Sequence, residues 1–373
     1  MKRVALIAGP LLATMLGLGL VAADCSAEIA WTAGITLLSA TWWIFEPIPI
    51  PATSLIAIAT LPLVGVLEPA DVGQAYGSPL VLLMLGGFML SMAMERSGAH
   101  RRIALAMVTL LGGSSSRRLV LGFMSASALL SMWISNAATT LMLLPIVVAV
   151  LEHTDDRPLR VSLLLGIAYS ASVGGIGTPI GSPPNLVFLD VYGQVTGTEP
   201  TFLDWMRLAL PVAVVMFPFV GFWLTRGLGG PNSITLPEVG AWRPMEVRTL
   251  AVFAITAALW ITRAAPFGGW SAMAGLPHAN DASVALLAVV AMFLIPNGDG
   301  DGGRLLDWET ACKIPWGVLI LFGSGITIAK AFVASGLSGS LGAMLQGLAN
   351  LPTFFTIALV CLCVTFLTEV TSN

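Results

Sequence analysis

The sequence predicts an all-α polytopic membrane protein, built as an inverted repeat with re-entrant hairpins and broken helices and C-terminally truncated. Three observations carry that expectation. Of 373 residues, 56% are hydrophobic and only 10% charged, against roughly 25% charged in soluble domains, and mean hydropathy is +0.89. A soluble chain of this length would lack the charge to cover its surface. Second, the apolar residues fall in charge-free runs, several of them long enough to cross a bilayer, which takes about 20 residues. Third, two polar landmarks recur at nearly one spacing in the two halves. A net charge of −3 with no polybasic arm argues against a nucleic-acid partner. Cys25, Cys312, Cys361 and Cys363 are scattered and read as small apolar residues, not as a disulfide or metal framework.

Simple spans are expected at 4–23, 29–45, 47–67, 72–94, 208–225, 249–262, 282–298 and 314–329. The first follows Met1-Lys2-Arg3. It is read as a transmembrane helix in preference to a signal peptide, because its apolar stretch is long for such a leader and Asp24-Cys25 makes a poor cleavage site. Glu46 marks a helix end, and Trp42-Trp43 fits the interfacial aromatic belt.

Three runs do not fit one simple span. Residues 119–151, as a single helix, would be about 50 Å long against a hydrocarbon core of about 30 Å. Basic residues flank the run on both sides (Arg117-Arg118, then Arg157 and Arg160), so both ends are expected on one face, as in a re-entrant hairpin with its tip at Ser135-Asn136. Residues 161–189 contain Gly174-Gly175-Ile176-Gly177-Thr178-Pro179-Ile180-Gly181-Ser182-Pro183-Pro184-Asn185. Glycine and proline disfavour a continuous helix, and open backbone at such depth is tolerated only inside protein or beside water. A broken helix is expected there. The last long run is 331–368. With the N-terminus, 95–118, 152–160, 226–248 and 297–313 on the cytoplasmic side, 14 of the 17 Lys/Arg lie inside, leaving Arg207, Arg263 and Lys330 outside, as the positive-inside rule requires.

The internal repeat aligns Ser131-Met132-Trp133-Ile134-Ser135-Asn136 with Thr368-Glu369-Val370-Thr371-Ser372-Asn373, offset 237. Gly87 through Ser97-Gly98 aligns with Gly325 through Ser335-Gly336 at offset 238. Five crossings between the two tips invert the second half, an arrangement of secondary transporters. A second helix break would fall beyond Asn373, so the chain reads as incomplete at its C-terminus, with half of one site unbuilt.

Four stretches together resemble the divalent anion/sodium symporter family, which carries dicarboxylates, citrate and sulfate: Trp42-Trp43-Ile44-Phe45-Glu46-Pro47-Ile48-Pro49-Ile50-Pro51-Ala52-Thr53, the Ser135-Asn136 tip, the Gly174–Asn185 break, and Thr368-Glu369-Val370-Thr371-Ser372-Asn373. The resemblance implies sodium-coupled symport of a small divalent anion, most simply a C4 dicarboxylate, with sulfate, citrate or anion exchange as alternatives. It also implies an elevator homodimer in the inner (plasma) membrane, with the N-terminus cytoplasmic. The expected division is scaffold 1–113, transport part 114–228 (hairpin 117–152, broken helix 161–189), linker 229–247, scaffold 248–349 and transport part 350–373. The family usually shows Ser-Asn-Thr at each tip; here Ala137 stands in place of the first threonine, which removes one hydroxyl donor.

Chemistry narrows the site. Removing a carboxylate from water costs on the order of tens of kcal/mol in the Born limit, and neither the first tip nor the break holds Lys or Arg. Helix ends, amides, hydroxyls and co-bound cations must compensate. Ser131, Ser135, Asn136 and the carbonyl near Gly181 are expected to hold one sodium, and Thr368, Thr371 and Asn373 a second. Ser135, Asn136, Ala137, Ser182, Ser372 and Asn373 are expected at the substrate. Sodium enters as a coupling ion, and no other cofactor is expected. The competing reading makes the Ser-Asn tips helix bridges only, and for Thr139 and Thr140 bridging is preferred. Glu369 is either an anchor or a proton-sensitive partner. An intramembrane enzyme would need a catalytic pair at depth, and Glu369 has no acidic or histidine companion, so no enzyme is expected. Asn297–Gly303 resembles a calcium loop without its closing glutamate (Trp308 stands there) and reads as a turn. Gly174–Gly181 lacks the Gly-Lys-Ser/Thr of a phosphate loop.

Overall fold

The computed structural model describes residues 2–112, 115–151, 156–198, 200–229, 240–265, 268–300, 302–345 and 352–370. Among them every regular element is helical, apart from one isolated antiparallel bridge between Pro296 and Arg304. Lys2–Ala22, Pro69–Ser97, Phe202–Thr225, Pro244–Ile261 and Trp316–Ala334 are long and apolar enough to cross a membrane. Their faces expose side chains such as Val215, Phe219 and Phe222 (67–69%), a surface suited to lipid.

The chain divides into two compact units, Met1–Val81 with Pro315–Asn373, and Leu82–Ile314. In the first, Lys2–Ala22 pairs with Ala27–Phe45, and the Trp42 indole donates to Ala5 O (3.0 Å). Ser26 caps the second of these helices, and Glu46 ends it in the left-handed region (φ 45°). Trp43 donates to Ser54 Oγ (3.1 Å) on Ile50–Leu63. The two tryptophans thus tie helices together, a role that their belt reading does not require. Ile35, Ala57, Leu61, Val66, Leu67, Ile328 and Ala331 form the core. Lys330 is satisfied by Asp71 O (3.2 Å) and Gln74 Oε1 (3.1 Å).

The expected span 72–94 is interrupted: Pro69–Tyr76 closes on Gly77, and Pro79–Ser97 starts anew. Glycine followed by Ser78-Pro79 is a helix stop that a search for charge alone passes over. The segment 95–118 is likewise not a simple loop, since Ala99–Gly112 is helical.

In the second unit, Ser116–Ser131 lies against Arg157–Gly175 and Ala99–Gly112, with Phe123, Met124, Leu159, Leu163 and Ile167 fully buried. Two internal ion pairs hold its ends. Arg102 Nε meets Glu246 at 2.8 Å, and its other nitrogens donate to Gly240 O (2.7 Å) and Ala241 O (2.6 Å). Arg263 meets Asp281 at 2.6 Å, while Phe202 N donates to the same carboxylate (3.2 Å). The described part of Asn297–Gly303 is a turn: Asn297 N donates to Gly303 O (2.9 Å), and Asp299 pairs with Arg243 at 2.8 Å.

Candidate functional site

The charge-free run 119–151 folds as two 16-residue helices, Ser116–Ser131 and Asn136–Leu151, joined through Met132–Ser135. Each is about 24 Å long at 1.5 Å per residue, short of the hydrocarbon thickness. The second run folds as Arg157–Gly175 and Pro183–Thr196, with the break between them. Two helix C-termini and two N-termini therefore belong to these segments, carbonyls at the former and the positive dipole ends at the latter.

The tip and the break meet in one cluster. The Ser131 hydroxyl, fully buried, is hydrogen-bonded to the Asn136 side-chain amide. With its nitrogen turned toward them, that amide donates to Ala171 O (3.1 Å) and Gly181 O (3.3 Å). Turned the other way, its oxygen joins the two carbonyls in an all-acceptor cluster that suits a hard cation. Close approach depends on glycine. A Cβ on Gly174 would run into the Ala128 backbone, and one on Gly181 would sit 2.7 Å from Gly175 O and 2.8 Å from Ser131 O.

Side chains satisfy the opened backbone of the break. Asn185 Nδ2 donates to Gly175 O and Thr178 O, both at 2.8 Å, Thr178 Oγ1 donates to Met132 O, and Trp205 Nε1 donates to Ile176 O (2.8 Å). Behind the tip, Trp133 stacks on Phe202 (6.2 Å between centroids) and meets Phe253 edge-on (5.5 Å), and Phe202 stacks on Trp260 (4.9 Å). This aromatic column positions the tip.

The expected residues take distinct places. Ser131, Asn136 and Gly181 come together. Ser135 is the turn residue before Asn136–Leu151, its oxygen accepting from Ala138 N (3.3 Å). It also lines a cavity of about 10 Å³, room for about one water, with Ser91, Trp133 and Ile180 among its walls. Ser182 caps Pro183–Thr196 by position without a side-chain cap hydrogen bond, so its hydroxyl is not spent on the helix. Pro183 and Pro184 remove two of that terminus's donors, leaving the dipole. Ala137 is exposed. Thr140 bonds back to Asn136 O (2.8 Å) within its own helix, and the buried Thr139 hydroxyl has no partner among the described residues, so neither bridges helices by hydrogen bond. Thr368 and Glu369 fall in the helix Thr353–Val370, with side chains outside the description, and Thr371, Ser372 and Asn373 lie outside the described residues.

Sequence reasoning missed Ala171 O, Trp205 and the roles of Thr178 and Asn185. Asn185 was visible as the polar end of the break, whereas a carbonyl carries no residue signal.

Comparison with known proteins agrees with this arrangement. A family model described as a citrate transporter matches residues 40–373. A sodium-dependent dicarboxylate transporter of Staphylococcus saprophyticus subsp. saprophyticus is 37% identical over 395 aligned positions, covering all of this chain and 75% of that one. Proteins of the same description from Staphylococcus aureus are 36% identical over the same shares. All of these are transporters, not enzymes. With its apolar helices, the chain is a multi-pass membrane protein, and it belongs to the divalent anion/sodium symporter family.

Proposed function

We propose that the chain moves a C4 dicarboxylate across the plasma membrane with sodium, by an elevator motion in a homodimer whose N-termini are cytoplasmic. Sodium-coupled dicarboxylate transport is the activity its relatives are named for. The observation that carries the site assignment is the cluster at Ser131, Asn136, Ala171 O and Gly181 O, which gathers neutral oxygens where two helix C-termini end. Such a set suits a hard monovalent cation, whose bound charge then offsets an adjacent dianion. Ser135, Asn136, Ala137 and Ser182 face the substrate in this reading. Thr368, Thr371, Ser372 and Asn373 repeat the arrangement for a second sodium and the other carboxylate. The parts 114–228 and 350–373 move, while 1–113 and 248–349 stay in place.

Uptake of radiolabelled succinate into proteoliposomes, with and without an inward sodium gradient, tests the reading. It is run on this chain and on the longest reading frame that contains it. Sodium-driven accumulation is expected, with citrate and sulfate as competitors to rank the anion; equal uptake without sodium overturns symport. If three sodium ions accompany the dianion, one net charge moves, worth about 2.3 kcal/mol per 100 mV, and uptake rises with an inside-negative potential.

A further inference from the structure

Away from the oxygen cluster, the second unit carries a groove of about 400 Å³ lined by Arg157, Val161, Ser162, Trp223, Leu224 and Arg226. It lies where two helix ends meet: Arg157 is the first residue of Arg157–Gly175, and Arg226 follows the last residue of Phe202–Thr225. The Ser162 hydroxyl ties the two together by donating to Leu224 O (2.9 Å).

Its chemistry is split along its length. Toward the helix bodies the neighbouring surface is apolar and open, with Val161 46% exposed, Trp223 56% and Phe222 67%. At the helix ends it turns basic. That gradient, from bare aliphatic and aromatic surface to arginine over one helical turn, is the one found where hydrocarbon gives way to headgroups.

Helix capping explains one nearby arginine but not these two. Arg117 donates to Thr225 O through Nε and Nη2 (3.4 Å each), so it already serves the C-terminus of Phe202–Thr225. The Arg226 guanidinium lies over the Trp223 ring, 3.6 Å from its centroid. Stacking engages the face of a guanidinium and leaves its in-plane N–H groups for an anion. Neither Arg157 nor Arg226 has an ion pair among the described residues. The carboxylate nearest in sequence, Asp156, is occupied as a helix cap, accepting from Leu159 N (3.1 Å).

We infer that this groove binds the headgroup of an anionic phospholipid, with the phosphate between Arg157 and Arg226 and the acyl chains along Val161 and Trp223. A free phosphate would satisfy the arginines equally but would leave the apolar half uncovered, which is why the occupant is a lipid. Basic pockets between membrane helices recognise such headgroups by this combination.

The test is native mass spectrometry of the detergent-solubilised chain titrated with phosphatidylglycerol and, separately, with phosphatidylcholine of the same acyl length. Phosphatidylglycerol should bind at least tenfold tighter. The double variant Arg157→Gln/Arg226→Gln should lower its affinity about thirtyfold, each basic group near an anionic surface being worth roughly a factor of five, and leave phosphatidylcholine unchanged. Arg157→Lys/Arg226→Lys should keep most of the preference. Arg118→Gln, the same charge loss outside the groove, should change binding less than threefold. If the double variant does not fold, Arg157→Gln alone, which removes no hydrogen bond of the described structure, should still lose about fivefold. The inference is overturned if the arginine variants bind phosphatidylglycerol as the parent does, or if Arg118→Gln weakens it equally. Displacement of bound lipid by millimolar inorganic phosphate would also overturn it, making the groove a free-anion site.

Discussion

The unit Leu82–Ile314 buries polar groups in two opposite ways. At Arg102, a full charge is taken from water together with its countercharge, Glu246, and the remaining donors are closed off by Gly240 O and Ala241 O. With both side chains less than a tenth exposed, the set is complete and has no vacancy for a guest. At the hairpin tip, the buried atoms are neutral: a serine hydroxyl, a carboxamide and the carbonyls of Ala171 and Gly181. That set has more acceptors than donors, so a cation improves it. Charge built into the fold locks an element, and oxygen without charge leaves room for charge that comes and goes.

The largest effect is expected where the lock is broken on one side. Arg102→Met strands Glu246 in the interior, and losing one partner of a buried pair costs roughly 3–5 kcal/mol. Thermal unfolding in detergent should show a large drop. The double variant Arg102→Met/Glu246→Met should recover much of it, because no charge is then left alone. A double variant no better than the single one would place the loss in the carbonyl contacts.

Next comes the open set. Asn136→Ala removes the amide that joins Ser131, Ala171 O and Gly181 O, and should reduce succinate uptake at least a hundredfold, about 3 kcal/mol of transport barrier. Gel filtration and thermal unfolding should stay near those of the parent. Full transport in this variant would make the tip a helix bridge. Ser131→Ala deletes one oxygen of the set and keeps the rest, so it should raise the sodium concentration for half-maximal uptake about tenfold, with less effect on the succinate requirement. An equal change in both would mean that Ser131 shapes the tip and does not meet the ion.

Much of this contrast was legible beforehand, unevenly. The tip and break were readable because they combine what membrane helices avoid: a run too long for one span and too short for two, then five glycines and three prolines between 174 and 184. The helices end at Ser131 and Gly175 and restart at Asn136 and Pro183 accordingly. The repeat was readable in the same local way. Pro79–Ser97 and Trp316–Ala334 run into Ser97-Gly98 and Ser335-Gly336, whose glycines have φ of 77° and 80°. Ser97 Oγ and Ser335 Oγ each accept from the backbone N two residues on, at 3.3 and 3.4 Å. Partners far apart in sequence were not legible. Arg102 and Glu246 lie 144 positions apart, and nothing local to either names the other. The column Trp133–Phe202–Trp260 depends on tertiary packing, which periodicity does not encode. Ala99–Gly112 was missed because Arg101 and Arg102 end a charge-free run, although helices outside the bilayer tolerate both.

The smallest effect belongs to an ion pair that lacks burial altogether. Arg207 reaches Asp204 at 3.5 Å with side chains 63% and 49% exposed, where water screens both charges and a pair contributes about 0–1 kcal/mol. Asp204 has other work: it accepts from Thr201 N (3.0 Å) and Thr201 Oγ1 (2.7 Å), while Thr201 Oγ1 accepts from Asp204 N (3.2 Å), closing a capping box at the start of Phe202–Thr225. Arg207→Gln should therefore shift stability by less than about 0.5 kcal/mol. Asp204→Ala should cost about 1 kcal/mol through the cap alone. Thermal unfolding of the two variants side by side separates the contributions. A loss for Arg207→Gln as large as that for Asp204→Ala would show an exposed charge acting as a lock, and burial would no longer distinguish the two kinds of polar group.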